Sequence, residues 1–198
     1  MDFGALVAIT MGAVLVNNYV LRQFLGVCPF LGVSKELKSS VGMSAAVIFV
    51  MLLATAATWP IQIYLLNPNG LGFLQTIVFI LIIAALVQLV DIALKKYLPP
   101  LYDALGVFLP LMTTNCAIMG VAIININRGF TFTESMVNSF GAGLGFLLAM
   151  VLFSGIRAHT ENASPPACFK GMPLTLISAA ILSFAFYGFG GVIENLFG

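Results

Sequence analysis

Leu25-Gly26-Val27-Cys28-Pro29-Phe30-Leu31-Gly32-Val33 is the stretch on which the fold turns, because it comes back once. Later the chain reads Asn115-Cys116-Ala117-Ile118-Met119-Gly120-Val121, so Cys-x-x-x-Gly-Val occurs twice, 116 − 28 = 88 residues apart. Both copies interrupt apolar runs with residues that a helix tolerates poorly. Pro29 disfavours helical backbone at Cys28, the residue before it, and Gly26 and Gly32 loosen the chain on either side. The second copy follows Pro110 and Thr113-Thr114-Asn115, whose short polar side chains can bond the backbone groups that a break releases. A cysteine is therefore expected at a break in each of two places.

The surroundings say what kind of solvent these breaks sit in. Of 198 residues 61% are hydrophobic and only 8% charged, whereas soluble domains carry about a quarter charged residues. The solvent is a bilayer. A net charge of +1 gives no reason to invoke nucleic acid. Three cysteines, none in a Cys-x-x-Cys pair, exclude a disulfide scaffold, and the lone His159 excludes a haem held by two histidines of this chain. The start, Met-Asp-Phe-Gly, lacks a basic region, so the first apolar stretch is expected to be a retained helix.

A spanning helix needs roughly 20 apolar residues, and the chain offers six candidates in one domain, 1–198. The first covers about Phe3 to Gln23 and continues as the broken segment Phe24 to Val33. The second is about Val41 to Leu66, closed by the turn signal Asn67-Pro-Asn-Gly70, and the third about Leu71 to Leu94. The fourth, about Leu101 to Ile126, contains Pro110 and Cys116; the fifth is about Glu134 to Ile156 and the sixth about Met172 to Phe197. The longest loop, Arg157 to Gly171, leaves no room for a soluble domain.

Lys35, Lys38, Lys95, Lys96, Arg157 and Lys170 fall in the loops after spans one, three and five. Only Arg128 falls on the opposite side, and Arg22 stands at a helix end. By the positive-inside rule the odd loops are cytoplasmic and both termini lie outside. The two cysteines fall in spans one and four, so each half (about 1–98 and 99–198) has three spans and the second is inverted relative to the first. The expected fold is thus an all-α membrane protein of six helices, a 3+3 inverted repeat with helices one and four broken. In such architectures the sites lie near the midplane, on the discontinuous helices.

A lone cysteine in an apolar helix more often packs than ligates; two at equivalent breaks put ligation level with packing. As ligands they would be insufficient, because an iron–sulfur cluster takes four thiolates and a structural zinc site four donors. Cys168 lies in a loop at a different depth and reads as an incidental thiol. The missing ligands would have to come from another chain, a second copy or a related protein with the same half-site.

At these residues the chain resembles a family. Leu25-Gly-Val-Cys-Pro-Phe-Leu-Gly-Val-Ser-Lys35 and Leu109-Pro-Leu-Met-Thr-Thr-Asn-Cys-Ala-Ile-Met-Gly120 are similar to the A-type subunit family of the Rnf electron-transport complex. A close relative is the E-type subunit of the sodium-translocating NADH:quinone reductase. Lesser matches, Asn17-Asn18, Val87-Gln-Leu-Val-Asp91 and Leu101-Tyr102, extend the resemblance over essentially the whole chain. It implies a subunit of a ferredoxin:NAD oxidoreductase that couples electron transfer to Na⁺ or H⁺ movement across a bacterial or archaeal cytoplasmic membrane. It implies pairing with a homologous E-type subunit of opposite topology, each giving two cysteines to one intramembrane [2Fe–2S] cluster. Cys28 and Cys116 would be this chain's ligands. Flavins, NAD and further iron–sulfur clusters would belong to other subunits, and no Gly-x-Gly-x-x-Gly fingerprint occurs here.

Several polar residues remain. Thr113, Thr114 and Asn115 are candidate hydrogen-bond donors to cluster sulfurs, which would tune its potential, or they repair local backbone. Asn17, Asn18 and Asp91 are candidates for a cation route. The plainer readings are interhelical bonding for the asparagines and an i,i+4 pair of Asp91 with Lys95. Gly141, Gly143 and Gly145 read as a small-residue helix interface, and Trp59 and Tyr97 as interface anchors. The rival to the redox reading is an inverted-repeat secondary transporter or channel, its broken helices binding a solute and its cysteines only packing. A purely structural scaffold for redox subunits is a third reading.

Overall fold

The apolar runs become helices because, away from water, the backbone must satisfy its own polar groups. The computed structural model describes residues 3–34, 37–68, 70, 72–97, 114–161, 166, 169 and 171–197. In chain order, α1 is Phe3–Met11 and runs into a π-helical turn at Gly12–Val16; α2 is Val27–Val33; α3 is Leu37–Ile61, ending in a second π turn at Gln62–Leu66. After a 3₁₀ turn at Gly72–Leu74 come α4, Gln75–Tyr97, α5, Cys116–Asn127, α6, Phe132–Glu161, and α7, Met172–Phe197. No strand occurs among the described residues.

Three helical segments are long and apolar enough to cross a membrane: Ser39–Leu66, Gly72–Ile92 and Phe132–Thr160. They match the second, third and fifth expected spans, except that the fifth helix runs on to Glu161, so Arg157, expected to open the long loop, lies inside it. Shorter apolar helices cover Val7–Val16, Cys116–Asn127 and Met172–Gly188. The first expected span departs from its reading. Helix was expected to Gln23, but it stops at Val16 and the chain turns through residues 17–26. Hydrophobic content alone could not place that stop, because Tyr19, Val20 and Leu21 are as apolar as the helix before them. The first half of the fourth span, with Pro110 and Thr113, lies outside the described residues, as does Cys168.

α6 is the central helix. It packs most extensively against α3 and also meets α1, α5 and α7. Its glycines permit this. A β-carbon on Gly141 would stand 3.2 Å from the Thr10 backbone, and one on Gly145 3.2 Å from the Ala13 carbonyl oxygen. One on Gly143 would stand 2.6 Å from Cγ1 of Ile48 in α3. The three small residues are a packing surface between helices, as their spacing suggested. Phe146, Ala149, Met150 and Phe153 continue the buried face of α6. Phe30 of α2 stacks on Phe153 with ring centroids 4.2 Å apart, which fastens the short helix to the core.

The start of α6 is held by the Glu134 carboxylate reaching back to Thr131, one half of a capping box. Glu134 accepts bonds from the Thr131 amide and hydroxyl, both at 2.9 Å. Nearby, the Trp59 indole donates to the Phe130 carbonyl at 3.0 Å and meets Phe132 edge-on, tying the end of α3 to the α5–α6 turn. Between α3, α5 and α6 lies a buried polar chain. Asn138 donates to the Tyr19 hydroxyl (3.1 Å) and to Asn125 Oδ1 (2.6 Å), Asn125 donates to Ser139 Oγ (3.0 Å), and Ser139 bonds Thr55 (2.7 Å). Such bonds join helices where apolar attraction between them is weak.

The outer faces are apolar. Ile77, Ile80, Leu81, Leu89 and Ile92 of α4, and Leu176, Ile181, Phe184 and Tyr187 of α7, are exposed. Continuous apolar surface of this kind is the signature of a membrane or subunit contact.

Candidate metal centre

The first break is built by one side chain. Asn18 is buried, and both ends of its carboxamide are used. Its Oδ1 accepts from the amides of Val20 (3.0 Å) and Leu21 (3.2 Å), which turns the chain away from helix. Its Nδ2 donates to the Gly145 carbonyl (2.8 Å) and to that of Val14 (3.3 Å), pinning the turn to α6. Asn17 closes the π turn through its amide on the Gly12 carbonyl (2.7 Å), and its Oδ1 accepts from Arg22 at 3.1 Å. The Arg22 guanidinium also lies 5.6 Å from the centre of the Tyr187 ring. The Ser183 hydroxyl donates to the Leu21 carbonyl, anchoring the turn to α7.

The turn ends in left-handed backbone, at Phe24 (φ 55°) and at Gly26 (φ 81°). Gly26 caps α2, and Cys28 follows in its first turn. At Gly26 the demand for glycine is double. Left-handed backbone disfavours a side chain, and a β-carbon there would meet Ala117 Cβ at 3.0 Å, Phe146 Cε2 at 3.1 Å and Asn115 Oδ1 at 3.2 Å.

At the second motif the described residues resume at Thr114. Asn115 is extended (φ −72°, ψ 107°) and caps α5, its Oδ1 accepting from the Ala117 amide at 3.0 Å. Cys116 is the first residue of α5. The two motifs then touch, because the Gly26 amide donates to Cys116 Sγ at 2.9 Å. Two motifs 88 residues apart in sequence thus meet at a sulfur. Cys28 is exposed and Cys116 half-buried.

The chemistry of this donor set fits a half-site for a thiolate-ligated metal group. A backbone N–H already donates to the Cys116 sulfur, and Cys116 stands at the N-terminus of α5. Asn115 is 3% exposed, yet its Nδ2 has no hydrogen-bond partner among the described residues, a state that costs about 1–3 kcal/mol unless something else accepts. Among the described residues no group of three or more His, Cys, Asp or Glu gathers. The chain supplies two thiols here, Cys28 exposed and Cys116 half-buried.

The other sequence candidates divide. Asn115 lies at the contact of the two breaks, Thr114 is exposed just before it, and Thr113 lies outside the described residues. Asn17 and Asn18 belong to the first break, whereas Asp91 is half-buried on the unbroken helix α4, one turn before Lys95. Two contributors escaped the sequence reading. Arg157 of α6 donates to the Leu31 carbonyl (2.8 Å) and to Ser34 Oγ (3.0 Å), so it holds the far end of α2. Phe146 presses on Gly26 from the core. A cation at the end of an apolar helix is the only trace Arg157 leaves in sequence, and it reads first as an orientation signal.

The model of a family described as Rnf-Nqr subunit, membrane protein, matches residues 6–193. Similar chains include the A-type subunit of the Na(+)-translocating ferredoxin:NAD(+) oxidoreductase complex of Acetobacterium woodii, 54% identical over 94% of this chain and 97% of its own. The A-type subunits of the ion-translocating oxidoreductase complexes of Syntrophotalea carbinolica (51%; 96% and 98%) and Serratia proteamaculans (50%; 93% and 95%) are similar over comparable shares. With a matching model over nearly its full length and relatives at about half identity, this chain belongs to the Rnf-Nqr family of membrane subunits.

Proposed function

We propose that this chain is the A-type subunit of a Rnf-type, ion-translocating ferredoxin:NAD⁺ oxidoreductase in a bacterial or archaeal cytoplasmic membrane. Its fold is six spans in a 3+3 inverted repeat, with both termini outside and the Lys/Arg-rich loops in the cytoplasm. Cys28 and Cys116 are two of the four thiolates of an intramembrane [2Fe–2S] cluster. A homologous E-type subunit of inverted topology gives the other two. Bound there, such a cluster supplies a one-electron carrier between the two sides of the membrane. The observation that carries this reading is the meeting of the breaks, with the Gly26 amide on Cys116 Sγ.

The chain's own residues have plain tasks. Asn18 and Asn115 end or begin helices so that the cysteines sit on half-helices. Gly26 donates to sulfur, and Phe146 and Ala117 close its protein side. The exposed Cys28 faces what the partner would cover. Flavins, NAD and the remaining clusters reside on other subunits, consistent with the names of the relatives as subunits of a complex. The cation is Na⁺ or H⁺; the Acetobacterium relative is named for Na⁺.

The test is low-temperature EPR with iron and sulfide analysis on the purified complex, wild type against Cys28→Ser and Cys116→Ser. Loss of one [2Fe–2S] signal in both variants, other centres persisting, is the expected result. Survival of every signal would sink the half-site and favour a transporter whose broken helices bind a solute.

A further inference from the structure

Asn115 has one end in use and one end idle, and the ends are not interchangeable. Its Oδ1 must face the Ala117 amide, since turning the carboxamide over would set an NH₂ against an N–H. The amide nitrogen is thereby committed elsewhere. It is buried, and no described group accepts from it. The residue is also wedged at the junction itself. Its Oδ1 would stand 3.2 Å from a β-carbon on Gly26, whose amide already donates to Cys116 Sγ. Asn18 offers the contrast. It is the same residue type in the other break, and both its ends are spent on backbone. One asparagine builds its break completely, while the other holds a spare donor next to a ligand cysteine.

We infer that Asn115 Nδ2 donates a hydrogen bond to a sulfur of the metal centre, thiolate or inorganic sulfide, and so sets its reduction potential. This rests on the cluster reading above. The reduced centre carries one more negative charge than the oxidised one, and a donor at sulfur stabilises the more negative state. Asn115 therefore raises the potential, while its oxygen keeps α5 capped. It is a positioning and tuning residue, and it ligates nothing.

The experiment is a redox titration of the [2Fe–2S] EPR signal in the purified complex, wild type against Asn115→Ser and Asn115→Asp. Both substitutions keep an oxygen to cap α5 and remove the amide donor. The signal is expected to remain and its midpoint to fall in both, further in the aspartate variant. A retained signal with an unchanged midpoint in Asn115→Ser overturns the inference and leaves the cluster standing. Absence in wild type of any [2Fe–2S] signal that depends on Cys28 and Cys116 overturns the reading beneath it. Should the variants fail to assemble, wild-type complex carrying asparagine labelled with ¹⁵N at the side chain decides. A ¹⁵N hyperfine coupling at the reduced centre supports the bond, and its absence overturns it.

Discussion

Gly26 concentrates the demands of the site in one residue. It needs left-handed backbone, it leaves no space for a β-carbon, and its amide must reach Cys116. Gly26→Ala is expected to destabilise by about 1–2 kcal/mol through backbone strain alone, with a further loss as Ala117 and Phe146 are pushed aside. Thermal unfolding of the solubilised complex, read beside its iron content, checks this; an Ala variant with wild-type melting and iron would remove Gly26 from the site. The pair of asparagines shows how one residue type serves two purposes. Asn18 spends every polar atom on ending a helix, and Asn115 spends half of them on beginning one.

At the scale of elements, α2 is too short to hold itself in place and is held from outside. Phe30 stacks on Phe153, and Arg157 bonds the Leu31 carbonyl and Ser34 at its C-terminal end. The cation also suits the negative end of a helix. Arg157→Gln is expected to cost about 1.5–3 kcal/mol, the range for a hydrogen bond to a charged group, and to lower cluster content by loosening the half-helix that carries Cys28. Arg157→Lys, which keeps the charge, should lose less. Equal melting temperatures for wild type and Arg157→Gln would show that α2 is held by packing alone. The glycines of α6 act at the same scale. They bring the π turn Gly12–Val16 within reach of Gly145, and without that approach Asn18 could not bond its carbonyl.

For the whole molecule, the exposed apolar faces of α4 and α7 and the exposed Cys28 leave the chain unfinished as an isolated body. Expressed alone, it is expected to purify without stoichiometric iron and sulfide, and to gain them when the homologous E-type protein is co-expressed. Iron per chain in the two preparations is the measurement. A full cluster in the chain expressed alone, as monomer or homodimer, would remove the need for a second kind of subunit.

Composition and the repeated Cys-x-x-x-Gly-Val established a helical membrane chain and singled out Cys28 and Cys116 as candidates, from apolar runs long enough to span and from residues that loosen helix; the expected loss of helix at Cys28 does not occur, because Pro29 falls in the first turn of α2, Val27–Val33, where a missing N–H forfeits no helical bond. Three spanning segments were legible for the same reason. The end of the first helix was not. Asn17-Asn18 is followed by Tyr19-Val20-Leu21, as apolar as the helix before it; Asn18 turns the chain by accepting from the Val20 and Leu21 amides, and its bond to a carbonyl on α6, 127 residues away, fixes that turn in place. The Gly26 amide on Cys116 and the grip of Arg157 on α2 are likewise contacts between remote residues. Local sequence states where a backbone will not be helical; which sulfur, carbonyl or amide then satisfies the freed groups is decided only when the helices pack.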